Sequence, residues 1–163
     1  MAPDPEPPVP AAGEASLDTV DALVQLSFAV HRILGEVGAE RGLSVIQVRL
    51  LGVLRGRTAG MLELATVLGL DKSSMTGLVT RAEKRGLLKR SPSPHDGRAV
   101  LVSLTDDGKD LTDWGTAEIG RRISALTEGL TPSERARFTE LASAVVLAQR
   151  RPRPSSSTAI SSP

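Results

Sequence analysis

Cysteine is absent from this 163-residue sequence, and aromatic and histidine side chains are scarce. Without cysteine the chain has no disulfide, thiol nucleophile, thiolate zinc site or thiol-based oxidation sensor. The two histidines, His31 and His95, are too few for most imidazole metal sites. There is also no glycine-rich phosphate loop and no credible partner for a nucleophilic serine. We therefore predict neither an enzyme nor a cofactor or metal site.

Long apolar runs are missing as well. No stretch approaches the ~18 residues of a membrane span, and the N-terminus lacks a basic segment followed by an apolar one. The length suits one domain with extensions. We expect a soluble cytoplasmic protein that makes no membrane contact.

Charge is unevenly distributed along the chain. Residues 72–98 hold seven basic and two acidic residues, a net charge of +5, while the remainder holds thirteen basic and seventeen acidic residues. A polyanion is attracted to the first set and mildly repelled by the second. A solvated helix face that happens to be basic is the alternative explanation.

The two ends of the chain differ in composition from the middle. Five prolines fall within residues 1–15, and residues 151–163 are rich in proline and serine. Neither segment can bury enough apolar surface to offset its ordering entropy, so both are predicted to be disordered. The folded part is expected to be residues 16–150.

Within the folded part, apolar residues recur mostly at helical spacing. A first helix is predicted from Ser16 to Gly38 or Gly42. Ser44 and Gln47 form a capping-box pattern that opens a second helix. A third, short helix is predicted over 62–68, before the helix that lies in the basic segment.

A helix-turn-helix follows from the next signals. Gly69 ends the short helix, and Asp71 is a good N-cap for a helix that runs to Arg85. Gly86 can take the left-handed conformation that stops this helix, with Leu87 packing back on it. A short helix, a tight turn and a second helix make the helix-turn-helix unit.

After residue 86 the helical spacing of apolar residues gives way to the period-two alternation of strands. Residues 87–91 and 99–104 are predicted strands, joined by an exposed hairpin tip rich in proline and Asp-Gly. Thr105 caps a fifth helix, and Thr131 with Glu134 forms a capping box for a sixth. The predicted fold is mainly α with a small β-hairpin, a winged helix-turn-helix with long terminal helices.

The helix after Asp71 has two chemically different faces. Met75, Leu78, Val79 and Ala82 form an apolar stripe, and the opposite face has no acid. On that face Arg81 suits a forked contact to a guanine edge, Thr76 and Thr80 suit thymine methyls or phosphates, and Lys72 and Ser73 suit a phosphate at the helix N-terminus. The alternative is an ordinary amphipathic helix.

The hairpin tip carries Arg98, which suits insertion into a narrow minor groove. An ion pair of Arg98 with Asp96 is the alternative. The two are compatible, because Asp96 can orient the guanidinium that contacts DNA.

Two motifs in this order resemble the MarR family of winged-helix regulators. Residues 96–105 match its wing signature D-x-R-x-x-x-V-x-L-T, and residues 64–87 are similar to its helix-turn-helix. The resemblance covers roughly residues 16–150. It implies a symmetric dimer on a pseudo-palindromic operator, with the helix after Asp71 in the major groove and Arg98 in the minor groove.

Residue patterns and the resemblance together give a predicted set of DNA-contacting residues. These are Lys72, Ser73, Ser74, Thr76, Gly77, Thr80, Arg81, Lys84, Asp96 and Arg98. Gly77 lies mid-face, where it permits close backbone approach and removes one possible base-reading side chain. The DNA-binding lobe is expected at about 44–104.

The resemblance also implies that helices at about 16–38 and 105–150 form a homodimer. Apolar residues lying off the main stripes near both ends of the chain fit this, because a partner helix would cover them. Packing within one subunit is the alternative. Dimerisation would set two recognition helices ~34 Å apart, one turn of DNA.

Relatives of this family often bind small, frequently anionic aromatic effectors. The candidates here are His31, Arg32, Arg49 and Trp114, although a partly buried interface histidine also explains His31. The leading hypothesis is a dimeric, sequence-specific transcriptional regulator, and the resemblance implies that it acts as a repressor. The runner-up is a winged-helix module that docks an acidic protein partner.

Overall fold

The fold is given by a computed structural model that describes residues 17–94 and 99–149. In this part of the chain it is mainly helical, with three short strands. The elements in order are α1 Thr19–Ala39, α2 Val45–Val53, β1 Ala59–Gly60, α3 Met61–Leu68, α4 Lys72–Lys84, β2 Leu88–Pro92, β3 Val100–Leu104, α5 Asp106–Ala125 and α6 Pro132–Gln149. The winged helix-turn-helix predicted from the sequence is confirmed.

Local capping signals account for several helix boundaries. The Gln47 side chain accepts a hydrogen bond from the Ser44 amide at 2.9 Å, which confirms the first capping box. Gly69 lies in the left-handed region at φ 68°, and the Leu70 amide donates back to Ala65 at 2.9 Å. This six-residue closure ends α3 and sets the turn into α4.

The start of the first helix was predicted wrongly. The helix begins at Thr19 rather than near Ser16, because Asp18 is its N-cap. The Asp18 carboxylate accepts from the Asp21 amide at 2.8 Å, satisfying a free donor of the first turn. A carboxylate there also interacts favourably with the helix dipole.

The sheet has one more strand than the predicted hairpin. Strand β1 pairs antiparallel with β3, Ala59 opposite Val102, so the strand order is β1-β3-β2. Strand β2 pairs with the other edge of β3, with Leu88 opposite Leu104. Strand β1 is therefore one edge of a three-stranded sheet, and β3 is its central strand.

The core lies between this sheet and helices α2, α3 and α4. Its most buried side chains come from all three helices and from β3: Leu50, Leu54, Leu64, Met75, Leu78, Val79 and Val102. Val100 lies on the same face of β3 as Val102 but is 42% exposed. It is the first residue of β3, at the end nearest the hairpin tip and beyond the core.

The base of α5 packs closely on the residues between α4 and the sheet. Thr105 caps α5, since its hydroxyl accepts from the Gly108 amide at 3.0 Å and donates to the Gly86 carbonyl at 2.5 Å. A Cβ on Gly108 would lie only 2.0 Å from the Leu87 carbonyl oxygen. Only glycine fits there without displacing backbone.

The chain divides into two compact units, one ending at Gly120 and one beginning at Arg121. In the second unit, Thr131 and Glu134 form the predicted capping box, with the Thr131 amide 2.8 Å from the Glu134 carboxylate. Those contacts lower the pKa of Glu134 below its usual value. None of the helices in the described ranges is sufficiently long and apolar to pass through a bilayer.

Candidate nucleic-acid interface

Helix α4 presents one buried and one open face, as predicted. Its apolar stripe, Met75, Leu78, Val79 and Ala82, is buried in the core. Of the predicted DNA-contacting residues on this helix, six polar or cationic side chains are exposed and two positions are half-buried. The exposed ones are Lys72, Ser73, Ser74, Thr76, Arg81 and Lys84, and the half-buried ones are Gly77 and Thr80.

The N-terminus of α4 is already occupied by a carboxylate. Asp71 accepts hydrogen bonds from the amides of Ser73 at 2.8 Å and Ser74 at 2.9 Å. Both serine hydroxyls also donate to it, each at 2.6 Å. These bonds, led by the Ser73 hydroxyl, hold the pKa of Asp71 well below its usual range. The first-turn donors predicted to meet a phosphate are therefore engaged within the chain.

Two further hydroxyls on α4 are also engaged. Thr76 donates back to the Lys72 carbonyl at 2.8 Å, a common helical arrangement that leaves its methyl outward. Thr80 accepts from Arg90 of β2 at 3.0 Å. Arg90 also forms a 2.7 Å ion pair with Glu83, so one guanidinium joins the wing stem to α4.

Arg81 and Gly77 are neighbours on the open face. A Cβ built on Gly77 would lie 3.2 Å from Arg81 Nη1. The glycine therefore leaves room for the guanidinium to lie along the helix surface, one turn toward its N-terminus. Gly77 shapes the position of Arg81 in addition to lowering the profile of the helix.

The basic segment divides into structural and available cations. Arg85 donates to the carbonyls of Gly42 at 2.7 Å and Arg41 at 2.9 Å, and Arg90 is paired as described. Within residues 17–94 and 99–149, no ion pair holds Lys72, Arg81 or Lys84. These three give α4 an outward face whose charge is positive.

The wing stem is formed by β2 and β3, and the Ser93 amide donates to the Ala99 carbonyl at 2.8 Å. Asp96 and Arg98, the two wing residues predicted to contact DNA, lie outside the described residues. The stem nonetheless projects beside α4, to which Arg90 fastens it. Helix α4 and the wing stem are thus held together by the side chain of Arg90.

The four candidate effector residues do not form one site. Trp114 lines an apolar cavity of about 60 Å³ between α1, α2 and α5, and the Arg41 guanidinium lies 4.3 Å from its ring centroid. His31 and Arg49 line a separate shallow groove between α1 and α2. Arg32 is ion-paired with Glu36 at 2.8 Å.

The described ranges contain no group of three or more His, Asp or Glu side chains that could hold a metal ion.

The cavity at Trp114 is small, since ligand pockets are typically ~300 Å³ or larger. An aromatic effector would need that cavity to open.

Comparison with known proteins gives three concordant findings. The family model described as MarR family matches residues 41–99. The repressor NicR of Pseudomonas putida is 31% identical over 114 residues, spanning 69% of this chain and 72% of NicR. This chain belongs to the MarR family.

A solved structure supports the same assignment. A mutant MarR from Escherichia coli complexed with operator DNA is 27% identical, with a TM-score of 0.63, covering 76% of this chain and 90% of that one. Coverage of other relatives is partial. The regulator YfiV of Bacillus subtilis is 35% identical over 95 residues, which span 57% of this chain and 59% of YfiV. For MarR of Salmonella typhimurium the aligned share is 51% of that protein.

Sequence reasoning missed two arginines of this MarR-family chain. Arg85 and Arg90 counted only as charge, yet Arg85 contacts the Gly42 carbonyl, which is remote in sequence, and Arg90 contacts Glu83 on the preceding helix. A signal for Arg90 did exist, because Glu83 was the one acid on α4 and needed a partner. The pairing itself required the strand to be placed beside the helix.

Proposed function

We propose that this chain is a homodimeric, sequence-specific DNA-binding transcriptional regulator. The observation that carries the proposal is the outward face of α4, where Lys72, Arg81 and Lys84 are exposed, while the only acid of this helix, Glu83, is ion-paired with Arg90. A cationic helix of this width fits the major groove. The duplex is the polyanion this surface suits.

In the proposed complex α4 lies in the major groove and the wing reaches the adjacent minor groove. Arg81 reads a guanine edge, while Lys72 and Lys84 contact phosphates. Arg98 enters the minor groove, where the potential is most negative. Thr80 contributes through Arg90 to the orientation of the wing rather than through a base contact.

The proposed dimer uses the terminal helices. Apolar side chains in and just before α1 are exposed to solvent, and so are apolar side chains of α6: Leu17, Val20, Leu23, Val24 and Phe28 in the first unit, and Phe138, Leu141, Val145, Val146 and Leu147 in the second. Exposed apolar area of this extent favours burial by a second copy of the chain. The DNA-binding lobe is then residues 44–104, flanked by dimerisation segments at 16–38 and 105–150.

Repression with release by a small aromatic or anionic effector completes the proposal. NicR is named as a repressor, and a repressor needs a signal that lowers its operator affinity. The cavity at Trp114 adjoins Arg41, whose backbone is bonded to Arg85 at the end of α4. An effector that opens this cavity would favour a dimer whose helix spacing no longer fits DNA. A regulator acting on the chromosome is cytoplasmic in a bacterium.

The test is selection of bound duplexes from a random library, followed by titration of the selected duplex by fluorescence anisotropy. We expect a pseudo-palindromic consensus, affinity that falls steeply with salt, and binding that survives excess random DNA. A protein-docking module would instead bind every duplex equally weakly. That result would overturn the proposal in favour of an acidic protein partner.

A further inference from the structure

A second cationic surface lies away from α4. A cleft of about 540 Å³ opens beside β2, β3 and the base of α5. Residues alternate in direction along a strand, so Lys89 and its cross-strand partner Ser103 face away from the side on which Arg90 contacts α4. The cleft is therefore separate from the open face of the recognition helix.

Four cations from three parts of the chain converge on this cleft: Arg55, Arg57, Lys89 and Lys109. Gly56, at φ 70°, turns the chain after α2 so that the arginines on either side of it both line the cleft. Asp113 is the one acid among the lining residues, and Asp106, outside that lining, is ion-paired with Lys109 at 2.7 Å. The convergence is not visible in the sequence, where only Lys89 belongs to the basic segment.

The cations have donor groups to spare. Arg55 uses Nε on Asp113 at 3.1 Å, and Arg57 uses Nε on the Val53 carbonyl and Nη1 on Glu63. Arg55 keeps the Nη1–Nη2 edge of its guanidinium and Arg57 keeps Nη2, while Lys89 has no ion pair among the described residues. Ion pairs as exposed as Arg55–Asp113, at 55% and 65%, are weak and easily exchanged.

Two hydroxyls complete the donor set. Thr58 follows Arg57 in the turn, and Ser103 stands opposite Lys89. Neither has a side-chain hydrogen bond to another residue in the described part of the chain. Guanidinium, ammonium and hydroxyl donors around one opening are the combination that recognises a phosphate group.

We propose that this cleft is a binding site for a phosphate-bearing ligand. Its volume is within the range of small-ligand pockets. The phosphate comes either from a free small molecule or from the DNA backbone flanking the operator, and the two share the same recognition chemistry. The proposal does not depend on the regulatory function, because phosphate binding is measured without DNA.

The experiment is calorimetric titration of the full chain with pyrophosphate, in chloride buffer of constant ionic strength. We expect saturable binding of one pyrophosphate per chain. Lys89→Ala and Arg55→Ala should each weaken it about tenfold, the loss expected for one charge-assisted hydrogen bond. Lys84→Ala removes the same charge outside the cleft and should leave pyrophosphate affinity unchanged.

Absence of saturable binding would overturn the proposal, as would equal losses in Lys84→Ala and Lys89→Ala. Lys89→Ala alters no described ion pair, so an unchanged thermal melt keeps its result free of folding effects. Operator titrations then identify the source. If pyrophosphate competes with the operator and Lys89→Ala reduces the salt slope by about one, the phosphate belongs to DNA. If neither pyrophosphate nor Lys89→Ala changes operator affinity, the ligand is a free molecule.

Discussion

The Arg85 guanidinium donates a hydrogen bond to the Gly42 carbonyl, with 2.7 Å between Nη1 and the oxygen. The same group reaches the Arg41 carbonyl at 2.9 Å, and Arg41 lies over the Trp114 ring. The C-terminal end of α4 is thereby joined to the turn between α1 and α2, and that turn to α5. A residue that sequence analysis counted as charge serves as a structural connector.

Replacing Arg85 should destabilise the chain. Arg85→Met removes two charge-assisted hydrogen bonds from partly solvated carbonyls, so we expect the free energy of unfolding to fall by about 1–2 kcal/mol. Urea unfolding followed by circular dichroism measures it. Lys84→Met is the matched control, since an exposed lysine outside such contacts should shift stability by less than about 0.5 kcal/mol. Equal midpoints for the two variants would show that the Arg85 bonds contribute nothing.

Asp71 should make stability depend on pH in the acid range. The folded-state pKa of Asp71 lies below its usual value of 3.8, because its carboxylate accepts bonds from Ser73 and Ser74. Its stabilising contribution is therefore complete above about pH 4 and is lost as pH falls further. Asp71→Ala should be less stable than the parent at pH 6, and the gap should narrow at pH 3.

The matched control for Asp71 is Asp110→Ala, which removes an exposed carboxylate from the second turn of α5. Urea midpoints at several pH values compare the variants. A gap between Asp71→Ala and the parent that stays constant from pH 6 to pH 3 would contradict the assignment of the cap as an ionised acceptor.

Gly108 and Gly120 should respond oppositely to the same substitution. A Cβ on Gly108 meets the Leu87 carbonyl, so Gly108→Ala must displace backbone and should cost about 1–3 kcal/mol. No atom lies within 4 Å of a Cβ on Gly120, in the same helix. Gly120→Ala should therefore stabilise by about 0.5–1 kcal/mol through helix propensity. Thermal melts of both variants test the pair, and two shifts of the same sign would refute the packing argument.

Arg81 should determine base preference rather than general affinity. Arg81→Ala is expected to flatten the consensus at one position of each half-site in duplex selection. Lys84→Ala, one turn away, should weaken binding to all duplexes alike and leave the consensus intact. An unaltered consensus with Arg81→Ala would exclude Arg81 from base reading.

Arg98 should contribute to affinity through the minor groove. Arg98→Ala is expected to weaken operator binding by roughly 1–3 kcal/mol without dissociating the dimer. Gel-shift titration measures the first effect and sedimentation the second. Full operator affinity in this variant would remove the wing from the mechanism.

Local signals predicted most of the fold. The capping boxes at Ser44 and Thr131 and the glycine turns at Gly69 and Gly86 depend on residues within one or two turns, and the structure confirms all four. Strand β1 escaped prediction because two residues carry no alternation, and its pairing partner Val102 is remote in sequence. The start of α1 was misplaced because Asp18, and not a residue near Ser16, is the N-cap.

The candidate interface was predicted less completely, for a physical reason. The open face of α4 follows from helical periodicity, but which polar groups remain available depends on tertiary contacts. Thr80 is bonded to Arg90 and the serines are bonded to Asp71. Charge counting cannot separate a cation that faces a ligand from one that braces a turn.

The contact between Gly108 and Leu87 leaves no slack at the foot of α5. The Thr105 hydroxyl donates to the Gly86 carbonyl at the same point, so the first turn of α5 and the start of the hairpin are held together. A tilt of the first turns of α5 would therefore press directly on Leu87, the residue at which the chain passes from α4 into β2. Movement of the long helix and of the wing stem is coupled at this one backbone contact.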